Sequence, residues 1–232
     1  MKHDQIKSAF IFLNGHYDPA RIGFYQTLLG SFTTPTYIVA ADGALTFLMK
    51  HKIKPDLIIG DMDSVSESQL ASTQGSEILR FPKDKDFTDG ELAIRHCLDR
   101  KIKTITLLGA LDTGQETDHM LGNIFNLALA QRLARKQSLE PFTIKIQNEH
   151  QEIYYLENAS QLFLNRKGAM LSIIPLDATI QICYDGFVFP KDRHIITGNF
   201  GESKTLRNQI DARQAQLSIS GRALVTIRHT AE

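Results

Sequence analysis

The chain has 232 residues, 42% of them hydrophobic and 22% charged, and its 26 Lys+Arg balance 26 Asp+Glu to give no formal net charge. That length supports one large domain or two small ones with a sizeable core, and the charge balance lacks the basic excess of a nucleic-acid binder. The N-terminal MKHDQIKSAFIFLNG has too short an apolar stretch for a signal peptide or membrane span, so a soluble, cytoplasmic protein is expected. Cys97 and Cys183 lie far apart with no metal-ligand spacing and are expected to be small buried hydrophobes in a reducing compartment.

In chain order, apolar runs predict strands at 9–13, 36–40, 57–59, 77–80, 104–108 and 143–146, with helices between them at 20–29, 44–52, 66–73, 89–101 and 118–136. Strands that are apolar throughout and alternate with helices predict an α/β fold, a mostly parallel Rossmann-like sheet with helices on both faces. Ligands bind such sheets beyond the carboxyl ends of the strands, where Asp42, Asp61 and Gly109 fall. After about Leu156 the runs become short and β-branched (LFLN, AMLSIIPL, TIQICYDGFVF, QLSISG, ALVTIRH), separated by Gly, Asp, Asn and Pro. They predict a small antiparallel all-β sandwich or barrel, with the sandwich preferred. The expected boundary lies in LENASQ, giving an α/β domain at 1–157 and a β domain at 158–232.

Three segments carry chemistry. The first places Asp42 after YIVAA and Asp61 and Asp63 after DLIIG. On an extended strand end, alternation would point Asp61 and Asp63 to the same side, and Gly60 would let a ligand approach closely. A lone DxD reads equally well as a solvated turn. Further acidic groups in similar positions favour a cation, and Mg²⁺ usually arrives with phosphates.

The second segment, KDKDFTDGELAI, has capping-box spacing between Thr88 and Glu91, with Asp89 at the positive end of the helix dipole. Capping does not explain Asp84 and Asp86 interleaved with Lys83 and Lys85. A metal carboxylate beside phosphate-binding lysines accounts for both signs.

The third segment, LLGALDTGQETDHMLGNIFNL, runs from a strand through a glycine loop into a helix, a place where backbone N–H groups cradle phosphate. His119, Asn123 and Asn126, with Asp118 and Gly122 beside them, form a polar stripe opposite Leu121, Phe125 and Leu129. A polar stripe is normally the wet side of a helix. Small hydrogen-bonding residues without Lys or Glu suit a face that meets a ligand. His16, after a strand end, reads best as a surface-loop residue. His3, His51, His150, His194 and His229 show no ligand spacing.

These segments together resemble the thiamine pyrophosphokinase (thiamine diphosphokinase) family. The matching stretches are ADGA at 41–44, PDLIIGDMDS at 55–64, KDKDFTD at 83–89 and DHMLGN at 118–123. The resemblance implies transfer of a diphosphate group from ATP to the hydroxyl of thiamine, releasing AMP. It implies that Asp61, Asp63 and Asp89 hold Mg²⁺, and that these and Asp118 form the catalytic set. ATP as co-substrate would be met by Asp42, Gly43, Gly60, Ser64, Lys83, Lys85, Thr88, His119 and Asn123. It further implies a homodimer, with thiamine bound partly by the β domain.

Two departures stand out. The family loop presents an Arg before the Asp-His pair, where this chain has Gln115 and Glu116; Lys83, Lys85 or Arg207 could replace it. The chain has no Trp, which leaves Phe187 and Phe189, with Ser203 and Asn208 of GESKTLRN, as candidates to meet the acceptor. Three other readings stay open: a related pyrophosphokinase with another alcohol acceptor, a DxD phosphatase, and a catalytically silent nucleotide-binding module.

Overall fold

The computed structural model describes residues 6–31, 34–114, 116–190 and 195–229; Gln115, His3 and His194 lie outside them. The chain divides into two compact units between Glu149 and His150.

The first unit is α/β. Its strands are β1 (Ser8–Phe12), β2 (Thr36–Ala41), β3 (Leu57–Gly60), β4 (Glu77–Arg80), β5 (Thr104–Leu108) and β6 (Thr143–Gln147). They lie in the order β6-β5-β1-β2-β3-β4, every neighbouring pair parallel. The helices are α1 (Ile22–Gly30), α2 (Ala44–Lys50), α3 (Glu67–Ala71), α4 (Asp89–Asp99) and α5 (Thr117–Lys136). Every strand and helix expected from the first 149 residues is present, with ends moved by a few residues.

Period-2 alternation divides the sheet residues between two faces. Phe10, Phe12, Ala40, Ile58 and Leu108 pack with Tyr25, Leu45, Leu48 and Leu70 from α1, α2 and α3. On the opposite face α4 rests on β1, β2 and β3, and α5 on β6 and α4. After β4 the chain crosses to β5 on the far side of β1, so the strand order reverses between β1 and β5, the place where such sheets open to ligands. Tyr17 fastens this end, its hydroxyl lying 2.6 Å from Leu13 O and 3.2 Å from Leu108 O.

The second unit contains β7 (Gln151–Leu164), β8 (Met170–Pro175), β9 (Thr179–Asp185), β10 (Ile195–Asn199), β11 (Asn208–Gln209) and β12 (Gln214–Arg228). All their pairings are antiparallel. β12 pairs with β7 along its length, with β9 through 216–220 and with β8 through 223–228. Its layers are therefore joined through β12 rather than standing as two separate sheets. Leu171, Ile173, Ile180, Ile182, Leu217, Ile219, Val225 and Ile227 share one core.

LENASQ, read as the boundary, lies inside β7. Its Asn158 has a left-handed φ of 47° and accepts a hydrogen bond from Gly221 N (2.8 Å) at the register shift between Ile219 and Arg222. A polar loop-like residue here marks a bulge, which bends a strand without ending it.

Cys97 is fully buried and its thiol is pushed up to about 12 by burial, whereas Cys183 on β9 is only half-buried. No helix among the described residues is long and apolar enough to cross a membrane.

Candidate functional site

The candidate site is built at the carboxyl ends of β2 and β3. The two strands pair in parallel with Ala41 opposite Ile59, and Asp42 N donates to Ile59 O at 2.9 Å. That register seats Asp42 directly beside Gly60. Asp42 then turns into α2 with a left-handed φ of 44°, a conformation Asp tolerates better than most residues. Asp89 arrives from α4, whose start is fixed by the Thr88 hydroxyl accepting from Glu91 N at 3.2 Å, as the capping spacing predicts.

Asp42, Asp61 and Asp89 converge so that one carboxylate oxygen from each lies within 4.8 Å of the others. Asp42 is only 6% exposed, and its Oδ1 has no hydrogen-bond partner among the described residues. A buried, unsatisfied carboxylate oxygen beside two further carboxylates is costly unless a cation compensates it, and the three groups suit a divalent ion. Gly60 forms the floor. A Cβ there would meet Asp42 Cβ at 3.0 Å and Asp89 Cγ at 3.1 Å, and its φ of +151° disfavours any other residue. Burial raises the Asp89 carboxyl above its ordinary value; nearby Lys85 opposes this, and Asp61 and Asp42 reinforce it.

Lys85 lies inside the cluster. Its side chain is 12% exposed, and Nζ sits 3.1 Å from Asp89 Oδ1 and 3.6 Å from Asp61 Oδ2. Burial acts to lower its pKa, but the two carboxylates outweigh burial and hold it raised.

Asp63 stands apart. Strand β3 ends at Gly60, and Met62 adopts a left-handed φ of 64°, so the alternation expected to align Asp61 with Asp63 does not extend that far. Asp63 instead accepts from Lys83 Nζ at 2.6 Å and from Ser64 Oγ at 3.1 Å. Lys83 holds its carboxyl below the usual range. The three-carboxylate group thus contains Asp42 where the sequence reading placed Asp63. Parallel register supplied the missing signal, because it sets an Asp following β2 beside a Gly-Asp following β3.

The glycine loop after β5 meets the loop after β1. His16 N donates to Asp112 O at 2.6 Å, and a Cβ on Gly15 would strike Gly109 O at 2.0 Å. Gly43 opens α2, with the Asn14 amide pressed against it. Neither contact was legible from motifs.

On α5 the expected polar and apolar faces do not divide cleanly between solvent and core. Asn126 is buried with Leu127, Ala130 and Ala134, while Leu121 and Phe125 are exposed. Asn123 Nδ2 donates to Ala110 O at 3.1 Å, tying α5 to the β5 loop. Asp118 and His119 are exposed at the start of α5, where Asp118 Oδ1 accepts from His119 N at 2.9 Å.

In the second unit Phe187, expected as an acceptor contact, is 4% exposed and packs edge-on to Tyr184 at 5.1 Å, so it belongs to the core instead. Phe189 is 63% exposed. Asn208 clamps the Phe189 backbone, accepting from its N–H at 3.2 Å and donating to its carbonyl, so the Asn208 amide positions that aromatic residue. Ser203 is exposed.

The first unit carries a likeness to a known family. Residues 31–139 match the family model described as "Thiamin pyrophosphokinase, catalytic domain". The matched segment is similar to that catalytic domain over just under half of the chain. It contains Asp42, Asp61 and Asp89, together with Lys85 and Gly60.

Similar solved structures extend beyond the segment. Thiamine pyrophosphokinase from Bacillus subtilis is 22% identical, with 97% of this chain and 100% of that one covered at a TM-score of 0.75. Yeast thiamin pyrophosphokinase is 15% identical (99% and 88% covered, TM-score 0.73). The Candida albicans enzyme is 14% identical (96% and 90% covered, TM-score 0.72). At these identities the likeness is one of fold, and it spans both units. No curated protein matches the chain.

Proposed function

We propose that the protein is a thiamine diphosphokinase, moving a diphosphate group from ATP to the hydroxyl of thiamine and releasing AMP. The observation that carries this reading is the convergence of Asp42, Asp61 and Asp89 around the unpartnered Asp42 Oδ1, inside the segment that matches the family. A Mg²⁺ ion held by these carboxylates would neutralise charge on the transferred phosphates. Asp63, paired with Lys83 at the exposed rim, lies outside this three-carboxylate group.

The chain's own residues would bind and orient. Lys83, Lys85 and the backbone of the Gly43 and Gly60 turns face incoming phosphates, and the loops after β1 and β5 border the nucleotide. Ser64, Thr88, His119 and Asn123 support those turns and the start of α5. The thiamine hydroxyl attacks the β-phosphorus in line. Its new P–O bond forms as the bond to the α-phosphate oxygen breaks, and the hydroxyl proton is lost to solvent or to Asp118. Such catalysis is mainly positioning. Phe189, exposed and held by Asn208, is the aromatic surface offered to the acceptor ring.

A DxD phosphatase would need its aspartyl nucleophile on the first strand. Asp61 follows β3 instead and shares its site with Asp42 and Asp89. We also propose a homodimer, tested by light scattering at varied concentration; exposed Leu121, Phe125 and Phe200 supply apolar surface of the kind interfaces use.

The test is incubation with ATP, Mg²⁺ and thiamine, following AMP and thiamine diphosphate by mass spectrometry. Both products should form only with thiamine present. Asp61→Asn and Asp89→Asn should each lose at least about a hundredfold in turnover, the scale for removing one charge-stabilising group. ATP consumption without thiamine diphosphate would overturn the choice of acceptor, and full activity in both variants would remove the metal site.

A further inference from the structure

We propose that Lys85 is the resident cation of the carboxylate site, holding Asp61 and Asp89 together until a divalent ion displaces it. The inference rests on the metal-binding reading above and assigns Lys85 a role that phosphate contact alone does not include. Two of the three clustered carboxylates already face the Lys85 ammonium, at 3.1 and 3.6 Å, and the side chain is almost wholly enclosed. Lys83, two residues earlier, is 76% exposed and lies against Asp63 at the rim. The two lysines of KDKD therefore do different things. One extends over the surface while the other fills the site.

The consequence is competition for the same oxygens. Three carboxylates within 4.8 Å would repel one another strongly without a counter-charge, and Lys85 supplies a single positive charge. It leaves Asp42 Oδ1 unpartnered and meets Asp89 Oδ1 as an ion pair at 3.1 Å without hydrogen-bond geometry, so its compensation is incomplete. A divalent ion coordinated by all three groups would displace the ammonium. Freed from Asp61 and Asp89, Lys85 would carry its charge to the mouth of the site as the nucleotide phosphates arrive. Cation loading and preparation for phosphate would then be one event.

The experiment compares Mn²⁺ binding by calorimetry, without nucleotide, in the full-length wild-type protein, Lys85→Gln and Lys83→Gln. Competition predicts about tenfold tighter Mn²⁺ binding in Lys85→Gln, within the usual range of coupling between sites. Lys83→Gln, which removes the same charge at the rim, should change binding less than about twofold. Unchanged or weaker binding in Lys85→Gln overturns the proposal, as does an equal gain in Lys83→Gln, which would reveal a general charge effect. Failure of every chain to bind Mn²⁺ overturns the metal site itself and Lys85's role with it, a result distinct from equal, measurable binding in all three.

A second readout needs no variant. Acylation of Lys85 in the wild-type protein, followed by peptide mass spectrometry, should rise several-fold when Mn²⁺ is added while Lys83 changes little. Unaltered Lys85 labelling at saturating Mn²⁺ overturns the displacement.

Discussion

Gly60→Ala tests the carboxylate site through its floor. The residue has a φ of +151°, and its new Cβ would lie 3.0 Å from Asp42 Cβ, 3.1 Å from Asp89 Cγ and 3.2 Å from Asp89 Oδ2. The backbone has little freedom to withdraw. Gly60 is in register with Arg80, Phe81 N donates to Gly60 O at 2.9 Å, and Asp42 N is bonded to Ile59 O. Relief must come from Asp89 and the first turn of α4. The unfavourable backbone conformation costs about 1–3 kcal/mol, and overpacking adds a similar amount.

We expect about 2–6 kcal/mol lost from a total of about 5–15 kcal/mol, a marked weakening of the fold. Donor atoms pushed by even about 0.5 Å leave productive geometry, so Mn²⁺ affinity should fall by about tenfold or more. Urea unfolding followed by circular dichroism gives the first quantity and calorimetry the second. A loss below about 0.5 kcal/mol, the range of an ordinary surface substitution, with unchanged Mn²⁺ affinity would refute the close approach argued here.

Three further outcomes check other parts of the molecule. Gly122→Ala lies within α5, where a Cβ would meet nothing within 4 Å, so thermal unfolding should show a gain of about 0.5–1 kcal/mol; a loss would mean that the exposed face of α5 is covered. Tyr17→Phe removes the hydroxyl fastening β1 to β5 and should cost about 1–2 kcal/mol in urea unfolding, with an unchanged midpoint arguing against the clasp.

The last concerns His96, which stacks on Tyr37 with ring centroids 6.1 Å apart and whose pKa is lowered, chiefly by burial. The unfolded chain therefore takes up this proton at higher pH than the folded protein does. Stability contributed by neutral His96 is complete above its unfolded value near 6.5 and is lost as pH falls from there toward the lower folded value. His96→Gln should flatten the fall in unfolding free energy measured between about pH 7 and 5, and identical pH profiles would contradict the burial argument.

Sequence alone determined the parts of this protein that depend on local periodicity and local hydrogen bonding. Apolar runs such as LIIG and TITLL mark strands buried on both faces, and the Thr88–Glu91 spacing marks the start of α4. KDKDFTD, PDLIIGDMDS and DHMLGN carry the family resemblance in short local stretches. The tertiary structure decided which of these charges meet. Asp42 joins Asp61 and Asp89 because β2 and β3 pair in parallel at one register, and Asp63 is turned away because Met62 breaks the strand's alternation. Asn158 looked like a linker residue and proved to serve a bulge opposite Gly221. Phe187 and Phe189 are indistinguishable as letters, yet one is enclosed by the core and the other stands exposed on an Asn208 clamp. The physical reason is common to all four. A side chain's local pattern fixes its backbone, but whether it faces core, solvent or another charge depends on elements tens of residues away, and only their packing sets those distances.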